Sequence, residues 1–66
     1  MTRREAREIL RDNKKTKGFD FYMLEVIDDW FACTALNPDN DKCYYVTFNP
    51  VDGIELEYAG MYDDLI

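Results

Sequence analysis

Between Phe19 and Leu36 the chain reads FDFYMLEVIDDWFACTAL, and the periodicity of this stretch decides the fold. Read as a helix, Phe19, Tyr22, Met23, Val26, Ile27, Trp30 and Phe31 follow the i, i+3, i+4, i+7 rule, with Phe21 and Leu24 out of phase. Read as strands, residues 19–27 carry apolar side chains on both faces, Asp28-Asp29 makes a tight turn, and residues 30–36 form a second strand. The aromatic and β-branched content favours strands, while Met, Leu, Glu and Ala do not. Two strands is the preferred reading, and a helix over 19–31 stays open as the alternative.

The chain beyond Leu36 is plainer. Asn37-Pro38-Asp39-Asn40-Asp41 is a cluster of turn-forming residues. Lys42–Phe48 reads as a strand, and Asn49-Pro50-Val51-Asp52-Gly53 as the next turn, with Gly53 at positive φ. Ile54–Tyr58 alternates, with Ile54, Leu56 and Tyr58 on one side and Glu55 and Glu57 on the other. In the tail, residues 59–66, Gly60 reads as a breaker, and the rest as a short helical turn packed back on the domain or as a docking segment.

Upstream, Thr2 and Glu5 have the spacing of a capping box, with Met1 placed to staple against Ala6. A helix is expected over about residues 3–15, stopped by Lys17-Gly18. Ala6, Ile9, Leu10 and Asn13 share a narrow sector, and Arg4, Arg7, Arg11 and Lys14 lie opposite. The expected fold is therefore α+β: an N-terminal helix packed on one face of a small three- to four-stranded antiparallel sheet, in a single domain over residues 1–66.

The expected register sets Trp30, Ala32 and Thr34 opposite Phe48, Val46 and Tyr44, and Phe48 and Val46 opposite Ile54 and Leu56. It collects Trp30, Ala32, Leu36, Tyr44, Val46, Phe48, Ile54, Leu56 and Tyr58 under the helix. The other face receives Phe31, Cys33, Ala35, Cys43, Tyr45, Thr47, Glu55 and Glu57. One helix covers one sheet face, so this second face is solvated or lies against a partner.

Composition narrows the function classes. The 66 residues are 47% hydrophobic, too apolar for a disordered chain, and a core this small leaves little room for an enclosed substrate pocket. No stretch approaches the length of a membrane span, and MTRREAREILRD has no signal-peptide h-region, so a cytoplasmic location is expected. There is no His, which removes the commonest general base and the usual zinc sets. No nucleophile–base pair or phosphate loop is present, and neither an enzyme nor a cofactor is expected.

Two cysteines outside a C-x-x-C pattern give no thioredoxin-like signal; Cys33 and Cys43 are expected diagonal to one another on one face, reduced and semi-buried. Asn37, Asp39 and Asp41 match the start of a calcium loop, but Lys42 and Phe48 occupy the positions that need Gly and Glu, so no metal site is read there.

The charge is asymmetric. Residues 1–17 hold seven basic side chains and three acids, net +4, while residues 18–66 hold Lys42 against eleven acids, net −10, which together give the formal −6. Direct nucleic-acid binding is not expected of a chain with this balance. The first functional reading is a small acidic protein-interaction module, a regulator or inhibitor that binds a protein with a basic surface. Its candidate site residues are Phe31, Cys33, Tyr45, Thr47, Glu55 and Glu57 on the sheet, and Asp28, Asp29, Asp39, Asp41, Asp52, Asp63 and Asp64 as an acidic patch. The second reading is a DNA mimic, since the carboxylate density resembles that of small phage-encoded antagonists of restriction or CRISPR systems. The third is a structural domain that homodimerises through the second sheet face.

Overall fold

The structure, a computed structural model, describes residues 1–64, so Leu65 and Ile66 of the tail lie outside the described residues. An N-terminal helix, α1 (Arg3–Asp12), precedes four strands, β1 (Asp20–Ile27), β2 (Trp30–Asn37), β3 (Lys42–Asn49) and β4 (Gly53–Met61), and a 3₁₀ turn over Tyr62–Asp64. The strands form one antiparallel sheet in the order β1-β2-β3-β4. This is the expected α+β fold.

Helix α1 begins on the capping box. The Thr2 hydroxyl accepts from the Glu5 N–H at 3.1 Å, and the Glu5 carboxylate accepts from the Thr2 N–H at 3.0 Å. Its end comes earlier than the expected residue 15. Asn13 is already extended (φ −82, ψ 135), and its side-chain oxygen accepts from the Lys15 N–H, a local bond that competes with continuing the helix. Two turns follow, closed by Gly18 at φ +85. Within them Thr16 is fully buried and its hydroxyl donates to the Leu10 carbonyl, which the shortened helix leaves without an amide partner.

The stretch from Phe19 onward is a hairpin, and its first strand is interrupted by a bulge. In the β1–β2 ladder Tyr22 pairs with Thr34 and Glu25 with Ala32, so β1 carries one extra residue in a bulge at Met23-Leu24. Met23 takes the left-handed conformation (φ +56) that such a bulge normally gives to glycine. Beyond the bulge the faces resume their alternation. Phe21, Leu24 and Val26 pack toward the core, with an i+3 step where a regular strand has i+2. The turn is Asp28-Asp29, as expected, with Asp28 at φ +53, the sign that the primed turns of tight hairpins require at their first position.

The β2–β3 register differs from the expected one by a single residue. Phe31 pairs with Phe48, Ala32 with Thr47, Cys33 with Val46 and Thr34 with Tyr45. The loop explains the shift. Asn37 pairs with Lys42, leaving four residues in the turn, whereas the expected pairs need an odd number. The turn is wound tightly: the Asn37 carbonyl accepts from the Asp41 N–H at 2.9 Å, its side chain accepts from the Asp39 N–H, and Asp41 closes it at φ +58. Since side chains alternate with period two, the shift turns every β2 side chain over.

The core accordingly differs from the expected list. Ala6, Leu10, Phe31, Cys33, Ala35, Val46 and Ile54 are buried together, with Ile9, Phe19, Phe21, Leu24, Val26, Tyr44, Phe48 and Leu56 packed around them. Phe31 stacks on Phe48 at a centroid distance of 5.0 Å. Leu10 and Phe31 are fully buried, each worth about 1.5–3 kcal/mol of hydrophobic stabilisation. Trp30, Ala32 and Leu36, expected in the core, lie on the opposite face.

The β3–β4 pairing follows the expected register, Phe48 with Ile54 and Val46 with Leu56. Strand β4 runs three residues further than expected, through a second bulge between Tyr58 and Gly60, where Gly60 (φ +128) continues the strand as a bulge residue rather than breaking it. The 3₁₀ turn is tied to the β2–β3 loop by the Tyr62 N–H, which donates to the Asp41 carbonyl at 2.8 Å.

Candidate interaction face of the sheet

The ladder pairs align the open face in rows across the strands. One row is Tyr22–Thr34–Tyr45–Glu57, the next is Glu25–Ala32–Thr47–Glu55, and the third begins with Ile27–Trp30. The outer rows carry large side chains: Tyr22, Tyr45, Ile27 and Trp30 are each between 41% and 53% exposed. The middle row has small Ala32 and Thr47 at its centre. The result is a shallow trough across the sheet with a glutamate at each end. It contains two adjoining depressions, one of about 280 Å³ bordered by Met23, Glu25, Ala32, Thr34, Tyr45 and Thr47. The other, of about 230 Å³, is bordered by Tyr45, Thr47, Glu55 and Glu57. Met23, 84% exposed, stands at the rim.

Of the side chains expected on this face, Tyr45, Thr47, Glu55 and Glu57 are there and exposed. Phe31 and Cys33 are not: the one-residue register shift buries them beneath α1, with Phe31 wholly inaccessible and Cys33 7% exposed. Their places are taken by Trp30, Ala32 and Thr34, and β1 adds Tyr22, Glu25 and Ile27. The parity of the Pro38–Asp41 loop was the signal available for finding them. Cys33 and Cys43 stand three rungs apart in the ladder, hence on opposite faces rather than diagonal on one, and both are free and buried. Burial pushes the Cys33 thiol up to about 11.

The aspartates do not form one patch. Asp28, Asp29 and Asp52 lie in the β1–β2 and β3–β4 turns at one end of the sheet. Asp39 and Asp41 lie in the β2–β3 turn at the other end, joined there by Asp63 and Asp64 through the Tyr62–Asp41 bond. An eight-residue strand separates the groups by roughly 25 Å. No group of three or more potential metal ligands is gathered among the described residues.

Charge is divided between the two sides. The open face carries Asp20, Glu25, Glu55 and Glu57, and none of the eight Lys and Arg residues lies on it: seven precede Gly18, and Lys42 pairs at the far end and points to the helix side by alternation. Among the described residues the one ion pair is Arg11–Asp12 at 3.8 Å, within α1 and exposed. The basic outer surface of α1 is thus not neutralised by contact with the acids of the sheet. Around the helix start, hydrogen bonds from the Thr2 backbone and hydroxyl hold the Glu5 carboxyl below its usual range.

Fold and face together define a class: a small α+β domain with a helix packed on one sheet face and the other presented outward, aromatic and acidic. No helix among the described residues is long and apolar enough to cross a membrane. No protein-family model, no curated protein and no solved structure matches the chain significantly.

Proposed function

We propose that this chain is a small protein-interaction module, a regulator or inhibitor that works by docking a basic partner protein on its open sheet face. The observation that carries this reading is the array of Tyr22, Ile27, Trp30 and Tyr45, half-exposed on one flat face and rimmed by carboxylates with no cation among them. Tyrosine and tryptophan dominate the energetics of protein interfaces because they bury large area at little conformational cost. The face has no self-complementarity in charge. Two copies packed through it would set carboxylates against carboxylates, which argues against a homodimer there. The two free thiols suit a reducing compartment, the cytoplasm.

The test is capture from native cells at low and high salt, with wild type beside Tyr45→Ala and Asp63→Asn/Asp64→Asn. A partner held by wild type and by the aspartate variant, but lost with Tyr45→Ala, supports docking on the face. Undiminished capture by Tyr45→Ala combined with Trp30→Ala overturns it.

A further inference from the structure

The geometry points to a segment carrying two arginines as the occupant of the trough, one guanidinium at the Glu25 end and one at the Glu55/Glu57 end. This rests on the open face being the docking surface, and it names what that surface recognises. Each depression pairs a carboxylate wall with the ring of Tyr45, which borders both. A planar guanidinium is suited to the Glu55/Glu57 seat, where it stacks on the Tyr45 ring of the neighbouring strand while its N–H groups meet a carboxylate; at the other end, two strands from Tyr45, Glu25 receives the second guanidinium. The apolar stem of arginine fits the floor made by Ala32, Thr34 and Thr47.

Other occupants fit less well. Both depressions are shallow and open on the sheet surface and enclose no ligand, which suits them to side chains of a docked segment. A nucleic acid or anionic membrane would bring phosphates against Glu25, Glu55 and Glu57. A second copy offers Arg4, Arg7 and Arg11 on an outer helix face without apolar anchors. Glu25 on β1 and Glu55 on β4 are three strand spacings apart, about 14 Å, which an extended peptide covers in about four residues. Two arginines four positions apart around small or apolar residues therefore match the trough.

The probe is a capped Arg-Ala-Leu-Ala-Arg peptide titrated into the full chain and followed by amide chemical shifts. A second peptide carries citrulline in place of both arginines, which keeps the shape and removes the charge. The expected result is a shift pattern centred on Glu25, Ala32, Thr47 and Glu55, with the citrulline peptide at least about tenfold weaker. Glu25→Gln and Glu55→Gln, both at exposed positions, should each weaken binding roughly two- to fivefold. Tyr45→Leu should erase a preference for arginine over lysine. Equal binding of the citrulline peptide, shifts confined to the end of the sheet that holds Asp39, Asp41, Asp63 and Asp64, or no shifts at saturating peptide overturns the assignment. A captured partner that depends on Tyr45 but ignores Glu25→Gln and Glu55→Gln would keep the docking face and remove the arginine seats. A partner indifferent to Tyr45 would remove the face itself.

Discussion

At Cys33 the thiol belongs to the cluster of Ala6, Leu10, Phe31, Ala35, Val46 and Ile54, and burial raises its pKa from 9.0 to about 11. Below pH 9 the thiol is protonated in the folded and unfolded chains alike. Between pH 9 and about 11 the unfolded chain ionises there while the folded chain does not, so the unfolded state gains and stability falls as pH rises. The expected outcome is that the stability difference between wild type and Cys33→Ala, read from urea unfolding, moves against wild type across that interval. At pH 8, thiol reagents should label Cys33 and the equally buried Cys43 only as fast as the chain opens. Rapid labelling of the native protein at pH 8 would contradict this burial. The position of Cys33 was not legible in composition or in β2's own pattern. One side of β2 offers Trp30, Ala32, Thr34 and Leu36, the other Phe31, Cys33 and Ala35, and either set can serve as a core.

Elements announced themselves where a local chemical signal existed. Thr2 and Glu5 at capping-box spacing specify the start of α1, and both bonds are present. Thr2→Ala should therefore cost about 1 kcal/mol in urea unfolding, with Thr2→Ser near wild type; equal stability of all three would show that the cap contributes nothing. The helix end was harder to read, because it depends on Asn13 turning its side chain onto the Lys15 amide and on buried Thr16 reaching the Leu10 carbonyl. Neither residue type marks such a role by itself. In β1 the bulge at Met23 inserts a residue and converts steps of two into a step of three, from Phe21 to Leu24 and from Tyr22 to Glu25, and it is Phe21 and Leu24, the two residues out of phase with a helix, that pack toward the core. Periodicity counts the residue and cannot see that it is looped out. The final strand misled in a similar way, since Gly60 reads as a terminator and serves as a bulge residue.

At the scale of the whole molecule, the division of charge was visible by counting, and the fold gives it direction: a basic helix on one side, an acidic aromatic face on the other. Tyr45, Thr47, Glu55 and Glu57 were legible as members of the open face because the β3–β4 turn sets their register locally. Trp30, Ala32 and Thr34 were not, since their side depends on whether the Pro38–Asp41 loop holds an even or odd number of residues. One parity thus decides whether Trp30 or Phe31 shares the open face with Tyr45, and with it the trough between Glu25 and Glu55. The most direct test is the pattern of cross-strand nuclear Overhauser contacts between β2 and β3. This fold requires backbone contacts pairing Ala32 with Thr47 and Thr34 with Tyr45; contacts pairing Ala32 with Val46 and Thr34 with Tyr44 would turn β2 over and remove Trp30, Ala32 and Thr34 from the open face.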